Sequence, residues 1–202
     1  MRMLLVLFSA GAIASPAIAA EGDHRELGPH EHGVGNLNIA VEGTKVSVEL
    51  EVPGMDIVGF EYAAKTPKQK AAVEKAKKQL LAPLAIFKFP AAANCATQQV
   101  NVAIGSEDHD HDHDHAKGDK GAENGGKAAD AREGHEEREH SEFHVEYTLE
   151  CKVPDKITAI EFGYFRTFTN ARKLNVNLIT PKGQSKFEAT RDKPRIDLGG
   201  IM

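Results

Sequence analysis

Residues 107–115 run Glu107-Asp108-His109-Asp110-His111-Asp112-His113-Asp114-His115, alternating carboxylate and imidazole with no apolar side chain among them. Such a stretch has nothing to bury, so it cannot join a core and must interrupt whatever fold surrounds it. The interruption is wider than the tract itself. Residues 105–142 hold 13 acidic and 5 basic residues, a net charge of −8, with six histidines and no aromatic residue. The sequence therefore predicts a long insert over 105–142, disordered without metal, between two ordered parts of one domain.

The 202 residues suffice for one domain plus that insert, and 41% hydrophobic residues suffice for a core. A net charge of −5 argues against general nucleic-acid binding. Arg2, an apolar run from Met3 to Ala14 and the small residues Ala17-Ile18-Ala19-Ala20 have the pattern of a secretory signal peptide, residues 1–20, cleaved after Ala19 or Ala20. The competing reading, an N-terminal core helix, fits Pro16 poorly. The run is too short for a membrane span in the mature chain, residues 21–202, and no second long apolar run follows. These features predict an exported protein that is soluble once mature.

Alternation at period two marks the strands. Leu37, Ile39 and Val41 share one face, with Asn36 and Asn38 on the other; Val46, Val48, Leu50 and Val52 repeat the pattern after the turn Glu42-Gly43-Thr44. The breaker-rich segment 53–61 predicts a loop or short turn. Thr66, Pro67 and Gln69 have the spacing of a capping box opening a helix, with Val73, Ala76, Leu80 and Leu84 on its apolar face and Pro83 near its end. Its lysines 65, 68, 70, 75, 77 and 78 suit a solvated face better than a docking surface. Short strands are expected over 98–104 and 143–151, a strand running into a helical turn over 157–168, a hairpin over 173–180 and 184–190, and an edge strand over 195–198. The fold class is α+β: an antiparallel sheet packed by one main helix.

Two cysteines, Cys95 and Cys151, remain to be explained. In an exported protein an even pair indicates a disulfide, the alternative being a pair of thiolate ligands. If the strands flanking the insert pair with matched apolar faces, Val100 lies opposite Tyr147, Val102 opposite Val145 and Ile104 opposite Phe143. Cys151 then falls opposite Ala96, and a small irregularity around 94–97 would let the sulfurs meet.

The histidines form three groups. His109, His111, His113 and His115 with Asp110, Asp112 and Asp114 are all ligand types for zinc-like ions. In an extended chain alternate side chains stand about 6–7 Å apart. That is too far for neighbours each about 2.1 Å from one zinc, so the chain must turn to bind, giving several overlapping, modest sites. The alternative is an acidic solubilising spacer. His24, His30 and His32 precede the first strand, His32 on the wet face with Asn36 and Asn38, or else they belong to a frayed terminus. His135, His140 and His144 lie on the insert's return limb; His140, Glu142 and His144 share a wet strand face, or His140 and His144 lie one helical turn apart. His135 and His140 are five residues apart, not four, which excludes the zinc-protease helix motif.

Taken in order, His30-Glu31-His32-Gly33 before a strand, Pro53 with Asp56-Ile57-Val58-Gly59-Phe60-Glu61, a Cys, a His-rich insert, Ser141-Glu142-Phe143, a second Cys and Gly183-Gln184 resemble the ZrgA family of zinc-regulated periplasmic zinc-binding proteins of Gram-negative bacteria. The family pattern often has a histidine after the Phe-Glu pair, where this chain has Tyr62. The resemblance implies a periplasmic location, Zn2+ binding through the insert and a link to zinc import under scarcity, with a zinc ABC importer or its solute-binding protein as receiving partner. It implies no catalysis, and no nucleophile elbow, phosphate loop or nucleotide fingerprint occurs. Nickel and copper suit His/Asp sites as well as zinc does. The competing function is a structural or interaction module whose acidic loop binds a basic partner; a metal-dependent hydrolase would need a fixed site with an open position.

Overall fold

A computed structural model describes residues 31–106 and 140–202. The first two strands are those the alternation marks: β1 (Val34–Glu42) and β2 (Lys45–Pro53) form an antiparallel hairpin with Leu37 opposite Leu50 and Ile39 opposite Val48. A five-residue helix, α1 (Gly54–Val58), occupies what the breakers suggest is a loop, and Gly59 closes it in the left-handed region at φ 85°. Helix α2 (Pro67–Leu80) opens on the expected capping box: the Thr66 hydroxyl accepts from the Gln69 amide, and Gln69 Oε1 accepts from the Thr66 amide. Pro83 starts a separate turn, α3 (Pro83–Ile86), so Leu84 is not part of α2.

After a two-residue strand β3 (Phe87–Lys88) come β4 (Cys95–Ser106) and β5 (Ser141–Cys151), antiparallel neighbours. Val100, Val102 and Ile104 face Tyr147, Val145 and Phe143 as expected. The irregularity falls between Thr97 and Gln99 and brings Cys95 opposite Cys151. The two form a disulfide with Cα atoms 3.9 Å apart, so they are not thiolate ligands. Residues 105, 106, 141 and 142, assigned to the insert from the sequence, belong to this ladder. The rest of the insert, 107–139, and residues 1–30 lie outside the described residues.

Strand β6 (Ala159–Phe162) runs into the turn α4 (Tyr164–Thr167); β7 (Lys173–Thr180) and β8 (Gly183–Thr190) form the last hairpin, and β9 (Arg195–Asp197) follows. Two corrections to the expected fold arise here. The main sheet is mixed: its order is β4-β5-β2-β1-β7-β8, and β1 pairs parallel to β7. And the core-facing side is covered by a second, three-stranded sheet, β3-β6-β9, as well as by helix. Leu37, Val48, Leu50, Phe143 and Leu174 from the main sheet join Leu80, Phe87, Ile160, Phe162 and Tyr164 in one buried cluster. Burying a Leu or Phe side chain fully contributes about 1.5–3 kcal/mol, so this cluster fixes the sheet. The opposite face is polar. Across the parallel seam Asn38 Oδ1 accepts from Asn177 at 3.0 Å, and Asn36 Oδ1 from Asn175 at 3.3 Å.

Candidate metal centre

Three segments meet at the end of the sheet where β4 and β5 part. The first is the turn before β1. Gly33 takes φ +90°, which favours glycine, and its amide donates to Asp56 Oδ1 of α1 at 2.7 Å. The second is the stretch between α1 and α2. There the carbonyl of Glu61 accepts from the amide of Ser141 at 2.7 Å. The third is the start of β5. Gly54 lets these segments close up: a Cβ there would stand 2.5 Å from Ser141 Oγ and 2.7 Å from the Phe60 carbonyl oxygen.

The side chains that result are one carboxylate between two imidazoles. Glu61 Oε1 lies 2.8 Å from His32 Nε2, and Glu61 Oε2 lies 2.9 Å from His140 Nδ1. Glu61 is 12% exposed, whereas His32 and His140 are 57% and 54% exposed. Burial raises the Glu61 carboxyl, but the hydrogen bonds from His140 and His32 and their charge outweigh it and hold the group below its ordinary value. Asp56 shows the opposite balance. Its burial dominates over the Gly33 amide and the His32 charge, and its carboxyl is pushed up to about 6. Asp56 Oδ2 and the Tyr164 hydroxyl are both buried without a hydrogen-bond partner among the described residues.

The structure separates the predicted ligands. His32 and His140 converge on Glu61, a residue that ligand spacing alone did not single out. The available signal was an acid inside an apolar, breaker-rich stretch, Ile57 to Glu61. His32 sits in the turn before β1 rather than on its wet face. His144 lies in β5 between Ala103 and Glu51, in a strand and not a helix, and its Nε2 is 3.0 Å from Glu142 Oε2. Glu142 is on the outer face but only 6% exposed. His30, His109, His111, His113, His115, His135, Asp110, Asp112 and Asp114 lie outside the described residues. Among the described residues no group of three or more His, Cys, Asp or Glu side chains is placed to hold a metal ion. A surface depression of about 660 Å³, lined by Asn38, Ser47, Glu49, Asn177 and Lys186, lies on the polar face and contains no histidine.

Comparison with protein families matches residues 29–198 to the ZrgA family zinc uptake protein. The chain belongs to the ZrgA family. That match spans His32, Glu61, His140 and both cysteines, so the whole carboxylate–imidazole group lies inside the ZrgA region. A search of curated proteins finds no match. No helix among the described residues is long and apolar enough to cross a membrane.

Proposed function

We propose that this ZrgA protein works in the periplasm, captures Zn2+ through its His-rich insert and supports zinc uptake by buffering the ion or handing it to a zinc ABC importer or its solute-binding protein. Residues 1–20 serve as the signal peptide in this reading, and the protein is a carrier rather than an enzyme. The reading rests on one observation. A chain of a zinc uptake family places four histidines in seven residues, His109 to His115, between two strands whose insert-side end carries further imidazoles. Asp110, Asp112 and Asp114 add attraction for cations and oxygen ligation. His30, His135 and His144 contribute from the flanks. Imidazole must be neutral to ligate, so capture weakens as pH falls below about 6.5.

Zinc titration by calorimetry tests this on the mature chain and on a variant with His109, His111, His113 and His115 replaced by alanine. The variant is expected to lose most of the bound equivalents. Equal stoichiometry in the two proteins would sink the insert's role.

A further inference from the structure

We infer that β4 pairs edge to edge with β4 of a second copy of this chain, joining two six-stranded sheets into one continuous sheet about a two-fold axis. The inference concerns assembly and does not depend on zinc.

Strand β4 ends the main sheet. One of its edges pairs with β5, and among the described residues no strand pairs with the other. No backbone hydrogen bond from a turn or helix of the described residues reaches residues 96–105 either. Cys95–Ser106 contains no charged side chain and no proline. Gln99, Asn101 and Ala103 are exposed, and Ile104 is 38% exposed. Unpaired amides and carbonyls template the addition of another strand, so natural edges are blunted by charge, proline or a bulge. The opposite edge of this sheet follows that rule, with Lys186 and Glu188 on β8. On β4 the irregularity between Thr97 and Gln99 affects only the disulfide end, and residues 99–105 continue in regular register.

Symmetry then fixes the pairing. A two-fold axis normal to the sheet brings two identical edges together with their apolar faces on the same side, and it makes the strands antiparallel. Opposed residues must point to the same face, so the register is defined by the residue lying on the axis. With Val102 there, Val102 faces its own copy, Val100 of each copy faces Ile104 of the other, and Asn101 of each faces Ala103 of the other. That centre matches all three apolar residues. Moving it to Asn101 sets Ile104 opposite Gln98, and moving it to Ala103 sets Val100 opposite Ser106. Val100 and Val102 are half-buried and pack on the core cluster, so the paired strands carry the apolar layer across the axis.

Charge selects a copy of the chain as the occupant. An uncharged strand offers no counter-charge to a basic or acidic segment, whereas a second β4 meets it without leaving a charge unpaired. The acidic inserts do not oppose this pairing. In the antiparallel register the two Ser106 backbones lie on opposite sides of the axis, about 27 Å apart over eight residue steps. That is well beyond the screening length of about 8 Å at physiological salt. The pairing also uses up the uncharged edge of each main sheet, so the assembly closes as a dimer instead of growing into a fibre.

Sedimentation velocity of the full mature chain tests this from about 1 µM to about 200 µM, with chelator present so that no metal bridges copies. The unaltered protein is expected to approach twice the monomer mass within that range. Two double variants then read the register at exposed positions opposite Glu146 and His144. Asn101→Lys with Ala103→Lys sets lysines against each other at two places across the axis and should weaken the dimer by about tenfold or more. Asn101→Lys with Ala103→Glu alters the same positions but pairs opposite charges, and its dissociation constant should stay within about threefold of the unaltered protein's. Near-ultraviolet circular dichroism verifies that both variants are folded. An unaltered protein that stays monomeric throughout overturns the inference. So does a dimer that the lysine–lysine variant leaves intact, or one that both variants weaken equally.

Discussion

The two ends of the β4–β5 ladder are finished in opposite ways. At one end Cys95 and Cys151 face each other and are covalently joined, and the amide of Lys152 donates to the carbonyl of Asn94. At the other end the strands part around residues 107–139, and the return strand is held by Ser141 on the Glu61 carbonyl and by the imidazole–carboxylate contacts. Register is thus set at the cross-linked end and by the apolar pairs between, not by the connecting segment. That explains how so long and so acidic a connection is tolerated: each doubling of loop length costs only about 0.6 kcal/mol in closure entropy. It also leaves the insert end free to be organised by chemistry rather than by turn geometry.

Removing the cross-link is the largest way to test that division. Replacing Cys95 and Cys151 with alanine should lower unfolding free energy by about 4 kcal/mol in urea melts, the chain-entropy value for a loop of this size. Zinc affinity of the still-folded protein should stay within about twofold if the two ends are independent. A parallel fall in zinc affinity would show that they are coupled.

The next effect belongs to the insert end. Burial pushes the Asp56 carboxyl up to about 6 in the folded protein, from an ordinary 3.8. The folded protein therefore binds this proton more tightly than the unfolded chain. Its contribution is complete below about pH 4 and is lost as pH rises through 6, a change of about 3 kcal/mol. Asp56→Asn should remove that slope from urea denaturation measured between pH 4 and 7. Glu61 has the opposite sign: its lowered value adds stability above the ordinary carboxylate range that is lost in more acid solution.

Gly54→Ala comes third. The new methyl would press on Ser141 and the Phe60 carbonyl, costing about 1–3 kcal/mol by overpacking. Thermal melts should show the loss. The smallest effect is Thr66→Ala, about 1 kcal/mol from the lost cap. Thermal melts should show this loss too, as the smaller of the two.

The strands, the capped helix and the pairing across the insert were legible because each rests on local alternation or on a short motif with one physical meaning. The parallel seam was not, because hydrophobic pattern says which face of a strand is buried and not which strand lies beside it. A signal was nonetheless present. Asn36-Leu37-Asn38 and Asn175-Val176-Asn177 repeat the same polar spacing, and in the parallel register each asparagine meets its counterpart. The histidines of the candidate site were legible by type, but their partner was not. Glu61 reaches His32 and His140 only because α1 forms, Gly59 turns the chain out of it and Gly54 allows close approach. All three are tertiary consequences of a stretch that reads as a loop.

The seam between β1 and β7 joins residues separated by 139 positions. The first strand of the described residues therefore waits, with one edge unpaired, for one of the last. Topologies of this kind fold slowly, since distant segments must be brought together before their contact is rewarded. The paired asparagines then act on timing as well as structure. A slip of one residue would drive their amides into the apolar interior, so the late-arriving strand has a single register in which it can stay.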